Sequence, residues 1–329
     1  MSAVIVWRDG ETQALVPGRS SVAVGVFDGL HRGHQVVLAR VAELAGAHGA
    51  RRAVVTFDPH PARTLRPDRA PGMIQTLDQR LAGLERLGID LVRVVRFDGA
   101  LAAETADAFV ERVLVSELAA VDVVVGDDFR FGHDRQGSVA SLEAAGRAHD
   151  FAVTAVPSQG EGARWSSTGV RAAISSGDLA RASAILGRPV TWRATVVSGD
   201  RRGRELGFPT ANLDLPAELV RPPAGVYAGL ARLPEGAIAP AAISIGRRPQ
   251  FYEDGPELVE VHLIDREVDL YDQVLEVALL ARLRGQERFA DLGDLLDQMR
   301  RDTAASREMA LAVAAQTASL LGWDFGQRR

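Results

Sequence analysis

The 329-residue chain contains no cysteine, which excludes thiol nucleophiles, disulfides and thiolate metal sites. It contains no lysine either: all 38 basic residues are arginine. That removes a Schiff-base lysine and the G-x-x-x-x-G-K-[ST] phosphate loop together. The abundant Ala, Arg and Gly fit the codon bias of a GC-rich genome. With 43 acidic residues the formal charge is −5, and no polybasic arm offers itself to nucleic acid. No apolar run approaches the ~20 residues that cross a bilayer. The N-terminus MSAVIVWRDG lacks the basic start and long apolar core of a signal peptide. A cytoplasmic protein with no nucleic-acid or membrane partner is expected, and the length favours two domains.

What is present begins with one stretch, Ser21-Val-Ala-Val-Gly-Val-Phe-Asp-Gly-Leu-His-Arg-Gly-His34. Val22, Val24 and Val26 read as a strand, Asp28-Gly29 as a tight turn, and a helix begins at the histidines. Unpaired N–H groups and the helix dipole make such a junction an anion site. His31 and His34 lie three apart, share one face of the first turn and can both reach a phosphate. Zinc ligation is the alternative reading, but it needs further ligands and only His60 or an aspartate offers one.

Apolar runs at Ala53–Phe57, Leu91–Phe97, Val121–Gly126 and Phe151–Val156 alternate with helical patterns at Gln35–His48, Leu77–Gly88, Ala103–Leu118 and Gly137–His149. This alternation predicts a parallel sheet with helices on both faces. Ligands of such sheets bind beyond the carboxyl ends of the strands. There lie the loops Phe27–Gly33, Phe57–Pro61 (FDPHP) and Gly126–Gly132 (GDDFRFG). A helix over Gly169–Leu186 follows, opened by Ser166-Ser167-Thr168, with the cation of Arg171 opposing the dipole in its first turn unless an anion binds there.

After Gly187-Arg-Pro-Val190 the texture changes. Runs at Thr191–Ser198, Gly225–Leu233, Pro240–Ile245, Leu258–Ile264 and Val274–Leu283 succeed one another without helices, which argues for an antiparallel barrel or sandwich. Leu292, Leu295, Leu296 and Met299 then mark a closing helix. The loop Gly199–Asn212 is rich in glycine and arginine and can lay N–H groups on phosphates. Thr210 and Asn212 offer neutral oxygens to a hard cation such as Mg²⁺. Strand periodicity sets Glu260 and His262 opposite Val259, Val261 and Leu263, where a carboxylate could act as a base or simply face solvent.

GVFDGLHRGH resembles the G-x-F-D-G-x-H-x-G-H signature of nucleotidylyltransferases, and WSSTGVR their S-[ST]-x-x-R element. FDPHP and GDDFRFG narrow the resemblance to the FMN adenylyltransferase module of prokaryotic bifunctional riboflavin kinase/FAD synthetases. GRELGFPTANL, PPAGVYAG and LVEVHLID resemble the riboflavin kinase module. The resemblance implies an α/β fold: a Rossmann-like nucleotidyltransferase domain over 1–186, then a six-stranded antiparallel, riboflavin kinase-like β-barrel with a C-terminal helix over 187–329.

It also implies the chemistry. Riboflavin and ATP would give FMN in the barrel, and FMN and ATP would give FAD and pyrophosphate in the first half, both with Mg²⁺. By carry-over, His31, His34 and Arg171 act on ATP with Gly25, Phe27, Gly29, Ser167 and Thr168, while Asp58, Pro59, His60, Asp128 and Phe129 line the flavin side. In the kinase, Gly203, Gly207, Phe208, Pro209, Thr210 and Asn212 hold Mg-ATP, with Thr210 and Asn212 on the metal and Glu260 as the base. A monomer or weak homo-oligomer is expected. Two positions depart from the family pattern, Gln250 for threonine and Asp272 for a turn glycine. They motivate an alternative in which the barrel binds flavin but is catalytically weak or regulatory. A nucleotidylyltransferase for another phosphorylated substrate and a non-catalytic flavin sensor are the remaining readings.

Overall fold

The structure is a computed structural model that describes residues 3–11, 18–160, 164–199, 203, 206–246 and 258–323. Gln250 lies outside the described residues. Packing divides the chain into two compact units, Met1–Ser167 and Thr168–Arg329.

The first unit carries β1 (Ile5–Arg8), β2 (Ser20–Val24), β3 (Arg51–Asp58), β4 (Leu91–Arg96), β5 (Ala120–Gly126) and β8 (Ala152–Val156) in one sheet of order β1-β4-β3-β2-β5-β8. Every pairing in it is parallel. Alternate residues of these apolar strands feed two cores. Val22, Val24, Ala53, Val55, Val123 and Val125 face one way, toward Phe109, Val113 and Leu114 of the helical stretch formed by α5 (Ala106–Phe109) and its wider, π-type continuation Val110–Glu117. Ala23, Val54, Val92 and Val124 face the other, toward Val37, Leu38 and Val41 of α1 (Arg32–His48) and Leu81 and Leu84 of α3 (Leu77–Arg86). Two short helices, α2 (Pro61–Leu65) and α4 (Gly99–Ala103), and a small hairpin, β6 (Arg130–Phe131) with β7 (Gly137–Ser138), decorate the rim, and α6 (Val139–His149) precedes β8. β1 and this hairpin escape a reading by apolar runs because they are four and two residues per strand.

The single helix expected over Gly169–Leu186 is two: α7 (Ser167–Ser176) and α8 (Leu179–Leu186). Gly177, at φ 80°, breaks them, a left-handed conformation that glycine adopts without strain. Asp178 then caps α8. Helix α8 packs against strands of the barrel, so contact packing assigns it to the second unit.

That unit is a closed antiparallel barrel of order β10-β13-β12-β11-β14-β9. Its strands are β9 (Val190–Val197), β10 (Ala211–Leu213), β11 (Gly225–Arg232), β12 (Ile238–Gly246), β13 (Leu258–Leu263) and β14 (Val274–Gly285). The sixth strand, β10, lies inside the GFPTANL element and is only three residues long. The C-terminal helix, α9 (Leu292–Leu321), packs on β11, β12 and β14. Leu292 at its start is 54% exposed, and burial comes later in the helix, through Asp302, Ser306, Ala310, Ala318 and Leu321. Small residues there let the helix lie close to the barrel wall. Arg284 of β14 forks onto Asp302 at 2.7 and 2.9 Å and fixes its register.

Candidate active sites

In the sheet of the first unit the strand order turns back between β2 and β5, and such a switch point opens a crevice at the carboxyl ends. The chain leaving β2 fills it with an unusual loop: Phe27, Gly29 and Leu30 have φ of 56°, 87° and 46°. Phe27 and Leu30 hold the loop by burying their side chains in the core. Gly25 donates to Val55 O at 3.1 Å. The buried Asp28 carboxylate accepts the N–H groups of Ile74 and Gln75 at 3.0–3.1 Å. It shapes the loop rather than meeting a ligand. The Ser167 hydroxyl donates to the Asp28 carbonyl at 2.8 Å.

His31 caps α1. Its Nδ1 accepts the His34 N–H at 3.3 Å, which leaves Nε2 as the donor of the neutral ring. The His34 ring stacks on His31 at 3.6 Å and meets Phe27 edge-on at 5.1 Å. No acidic residue occupies the first turn of α1, so the dipole and the two imidazoles favour an anion. Gly33 sits in a crowded place: a Cβ there would stand 3.1 Å from the His31 ring and 3.2 Å from the Trp165 carbonyl, so those neighbours would have to give by a few tenths of an ångström. Thr168 lies in the first turn of α7, which also carries no acid. Because the helix starts at Ser167 and not at Gly169, Arg171 is its fifth residue, just past the first turn where it was expected.

The other two loops at the same edge are structured as follows. Asp58 ends β3 with its side chain half exposed, Pro59 follows a cis peptide, and His60 caps α2 through Nδ1, which accepts the Ala62 N–H at 3.1 Å. Asp128 pairs with Arg164 at 2.7 Å, and the Phe129 ring stacks on Phe131 at 5.3 Å. Asp127 is held below the usual carboxylate range by hydrogen bonds from the Ser158 hydroxyl and N–H.

The barrel holds a cavity of about 440 Å³ lined by Gly199, Gly203, Gly207, Pro209, Thr210, Asn212 and Glu260, and by the loop Arg266–Tyr271. Asn212 and Glu260 are direct partners across β10 and β13. Val259, Val261 and Leu263 are buried on the alternate face of β13, which leaves Glu260 and His262 on the other as the periodicity predicts. The glycines fit as a cradle. A Cβ on Gly199 would collide with the Asn212 amide, and one on Gly203 with the Phe208 carbonyl. The Phe208 N–H donates to Gly203 O at 2.7 Å, and Gly207 has φ 83°. Phe208 itself packs edge-on against His262 at 5.4 Å. His262 Nδ1 lies 2.8 Å from Pro209 O and pins the loop. Asp272 does sit at positive φ, 58°, in the turn where the family pattern has glycine.

The FAD synthetase family model matches residues 14–169 and the riboflavin kinase model residues 186–310. A bifunctional riboflavin kinase/FMN adenylyltransferase of Escherichia coli is 39% identical over 87% of this chain and 91% of its own length. This chain belongs to the bifunctional riboflavin kinase/FMN adenylyltransferase family. A Bacillus subtilis relative of the same name is 32% identical over 86% of this chain and 90% of its own. A solved Streptococcus pneumoniae structure named as a macrolide-efflux protein superposes with a TM-score of 0.81, at 30% identity, over 92% of this chain and 99% of that one. Among the described residues no helix is long and apolar enough to cross a membrane.

Sequence reading missed groups that stand beside these riboflavin kinase/FMN adenylyltransferase motifs: Arg80 and Thr56 lie below the first loop, and Arg266–Tyr271 line the barrel cavity. One signal was available for Arg80: Leu77, Leu81 and Leu84 put it on the apolar side of α3, where arginine is out of place.

Proposed function

We propose that the enzyme runs its two ATP-dependent steps, one in each half, on the residues described above. In the barrel, Glu260 takes the proton of a riboflavin hydroxyl as its oxygen attacks the γ-phosphorus of ATP, and ADP leaves. In the first half, an FMN phosphate oxygen attacks the α-phosphorus of ATP and pyrophosphate leaves. No protein nucleophile is needed, so catalysis is alignment and charge stabilisation by His31, His34, Ser167, Thr168 and Arg171. Gly25, Phe27 and Gly29 shape that loop, and Asp58, Pro59, His60, Asp128 and Phe129 flank the flavin. The observation that carries the reading is the pair of separate phosphate-binding constructions. One is a histidine-capped helix N-terminus; the other is a glycine cradle beside the Asn212–Glu260 pair.

The barrel donors suit Mg²⁺ arriving with ATP. Thr210 and Asn212 are hard, neutral oxygens, and Mg²⁺ takes few protein ligands when phosphates and water supply the rest. Among the described residues no cluster of three or more His, Cys, Asp or Glu suggests a resident metal. The ion supplies charge neutralisation to the phosphates. We place the functional division near Leu186, with α7 and α8 serving the adenylyltransferase although contact packing groups both with the second unit. A cytoplasmic monomer or weak homo-oligomer completes the reading, and the net charge of −5 speaks against a nucleic-acid partner.

The test is a product assay with FMN and FAD quantified separately. Riboflavin with Mg-ATP should give FMN and then FAD, and supplied FMN should give FAD. FAD from FMN with nothing from riboflavin would favour the regulatory barrel instead. The relatives' names, which carry both activities, do not favour that outcome.

A further inference from the structure

Arg80 is 1% exposed, an exceptional place for a guanidinium. It stands on α3 and reaches under the crevice. Its Nη1 donates to the Val26 carbonyl at 2.6 Å and lies 3.2 Å from Thr56 Oγ1, and Thr56 Oγ1 itself donates to Val26 O at 3.0 Å. Its Nη2 lies 4.0 Å from Asp58 Oδ1, and its Nε is buried with no hydrogen-bond partner. Burial draws the guanidinium below its ordinary value, and the charges of Asp28 and Asp58 oppose that pull.

The partners of Arg80 come from two different places, the loop that leaves β2 and the carboxyl end of β3. Val26 O is the last carbonyl before Phe27, where the phosphate loop turns to positive φ. Thr56 and Asp58 end β3 and open the FDPHP loop. One rigid, planar fork therefore ties the ATP-side loop to the flavin-side loop and puts a positive charge beneath both. Leu81 and Leu84 fill the same side of the helix with apolar bulk. Arg93, the other buried arginine among the described residues, is held by the carboxylates of Asp9 and Glu117. Arg80 instead directs its donors to the backbone and side chain beneath the crevice.

We propose that Arg80 is a positioning residue of FMN adenylylation: by clamping Val26, Thr56 and Asp58 it holds the two loops at the separation that aligns the FMN phosphate with the α-phosphorus of ATP. This rests on the assignment of the two loops made above. Misalignment of reacting groups by about 1 Å costs on the order of 10²-fold in rate. Loss of the clamp should therefore appear in kcat more than in KM, since neither substrate contact is removed.

The experiment measures FMN adenylylation and riboflavin phosphorylation on the same full-length protein, for wild type, Arg80→Met, Arg80→Lys and Thr56→Val. For Arg80→Met the expected result is a fall of about 10²-fold in kcat for FAD formation. Its KM values for FMN and ATP should stay within about threefold, and riboflavin phosphorylation unchanged. Arg80→Lys keeps the charge and one donor and should recover roughly tenfold of that loss. Thr56→Val removes one partner at constant shape and should lower kcat about fivefold. If Arg80→Met fails to fold, Thr56→Val decides. An unchanged kcat in a folded Arg80→Met, or in Thr56→Val, overturns the proposal, as does a loss confined to KM. A wild type that makes no FAD from FMN overturns the reading of the loops instead.

Discussion

The two halves of this chain build a phosphate site in opposite ways. In the parallel sheet the strands end together and each hands over to a loop, so His31 and His34 come in the segment after β2, Asp58 at the end of β3 and Asp128 just after β5. In the barrel the paired residues sit within strands: Asn212 and Glu260 are distant in sequence and meet only through the β10–β13 register. A parallel sheet gathers its chemistry at one rim in contiguous motifs, whereas an antiparallel barrel gathers it by pairing. The first kind of site depends on loop shape and the second on strand alignment.

Substitution should separate the halves cleanly. The largest effect is expected from replacing His31 and His34 together by alanine. FAD formation from FMN should fall at least ~10³-fold, because each oriented donor to a reacting phosphoryl group is worth about 10²-fold or more. Riboflavin phosphorylation by the same protein should change less than twofold. A parallel loss of both activities, measured by separate initial rates, would break the comparison. Glu260→Gln is the mirror image. It keeps the shape of the β13 position and removes the base, so FMN formation should drop by ~10²–10⁴-fold while FAD formation from supplied FMN persists.

Smaller effects concern stability. Asp90 in the first unit is held below the usual carboxylate range by the forked Arg52, which also donates its N–H. The folded state therefore binds that proton less readily than the unfolded chain. The stabilisation is complete above the ordinary carboxylate pKa of ~3.9 and disappears as the pH falls below it. Because the pair is partly exposed, solvent screening reduces it to about 0.5 kcal/mol. Asp90→Asn should cost about that much at pH 7 in denaturant unfolding, and progressively less as the pH falls below the ordinary carboxylate range. Equal costs across that range would assign the loss to packing. In the barrel, Asp272→Gly relieves the positive φ at 58° but frees the unfolded chain. The net gain should be about 0.5 kcal/mol, read as a small rise in melting temperature, with kinase kcat within twofold of wild type.

Legibility followed the same divide. The central strands β2–β5 were readable because buried parallel strands are continuous apolar runs. The edge strand β8 and the longer first-unit helices were read too, but the five-residue α2 and α4 were not. The face of Glu260 was readable from strand periodicity. β10 was not, since three residues carry no period, and the break at Gly177 was hidden by an apolar pattern that resumes after it. Arg80 was legible only as an anomaly on an apolar helix face. Its meaning came from Val26, Thr56 and Asp58, none of which is near it in sequence.

The sequence by itself determined the two-part architecture, the absence of lysine and cysteine chemistry, and the motifs at both sites. These are local properties: composition, period and short contiguous runs. Tertiary structure alone decided that Asn212 faces Glu260, that the Trp165 carbonyl crowds Gly33, and that one buried arginine joins the loop after β2 to the end of β3. Those facts depend on which distant segments share the same few ångströms, and only the closed fold sets that.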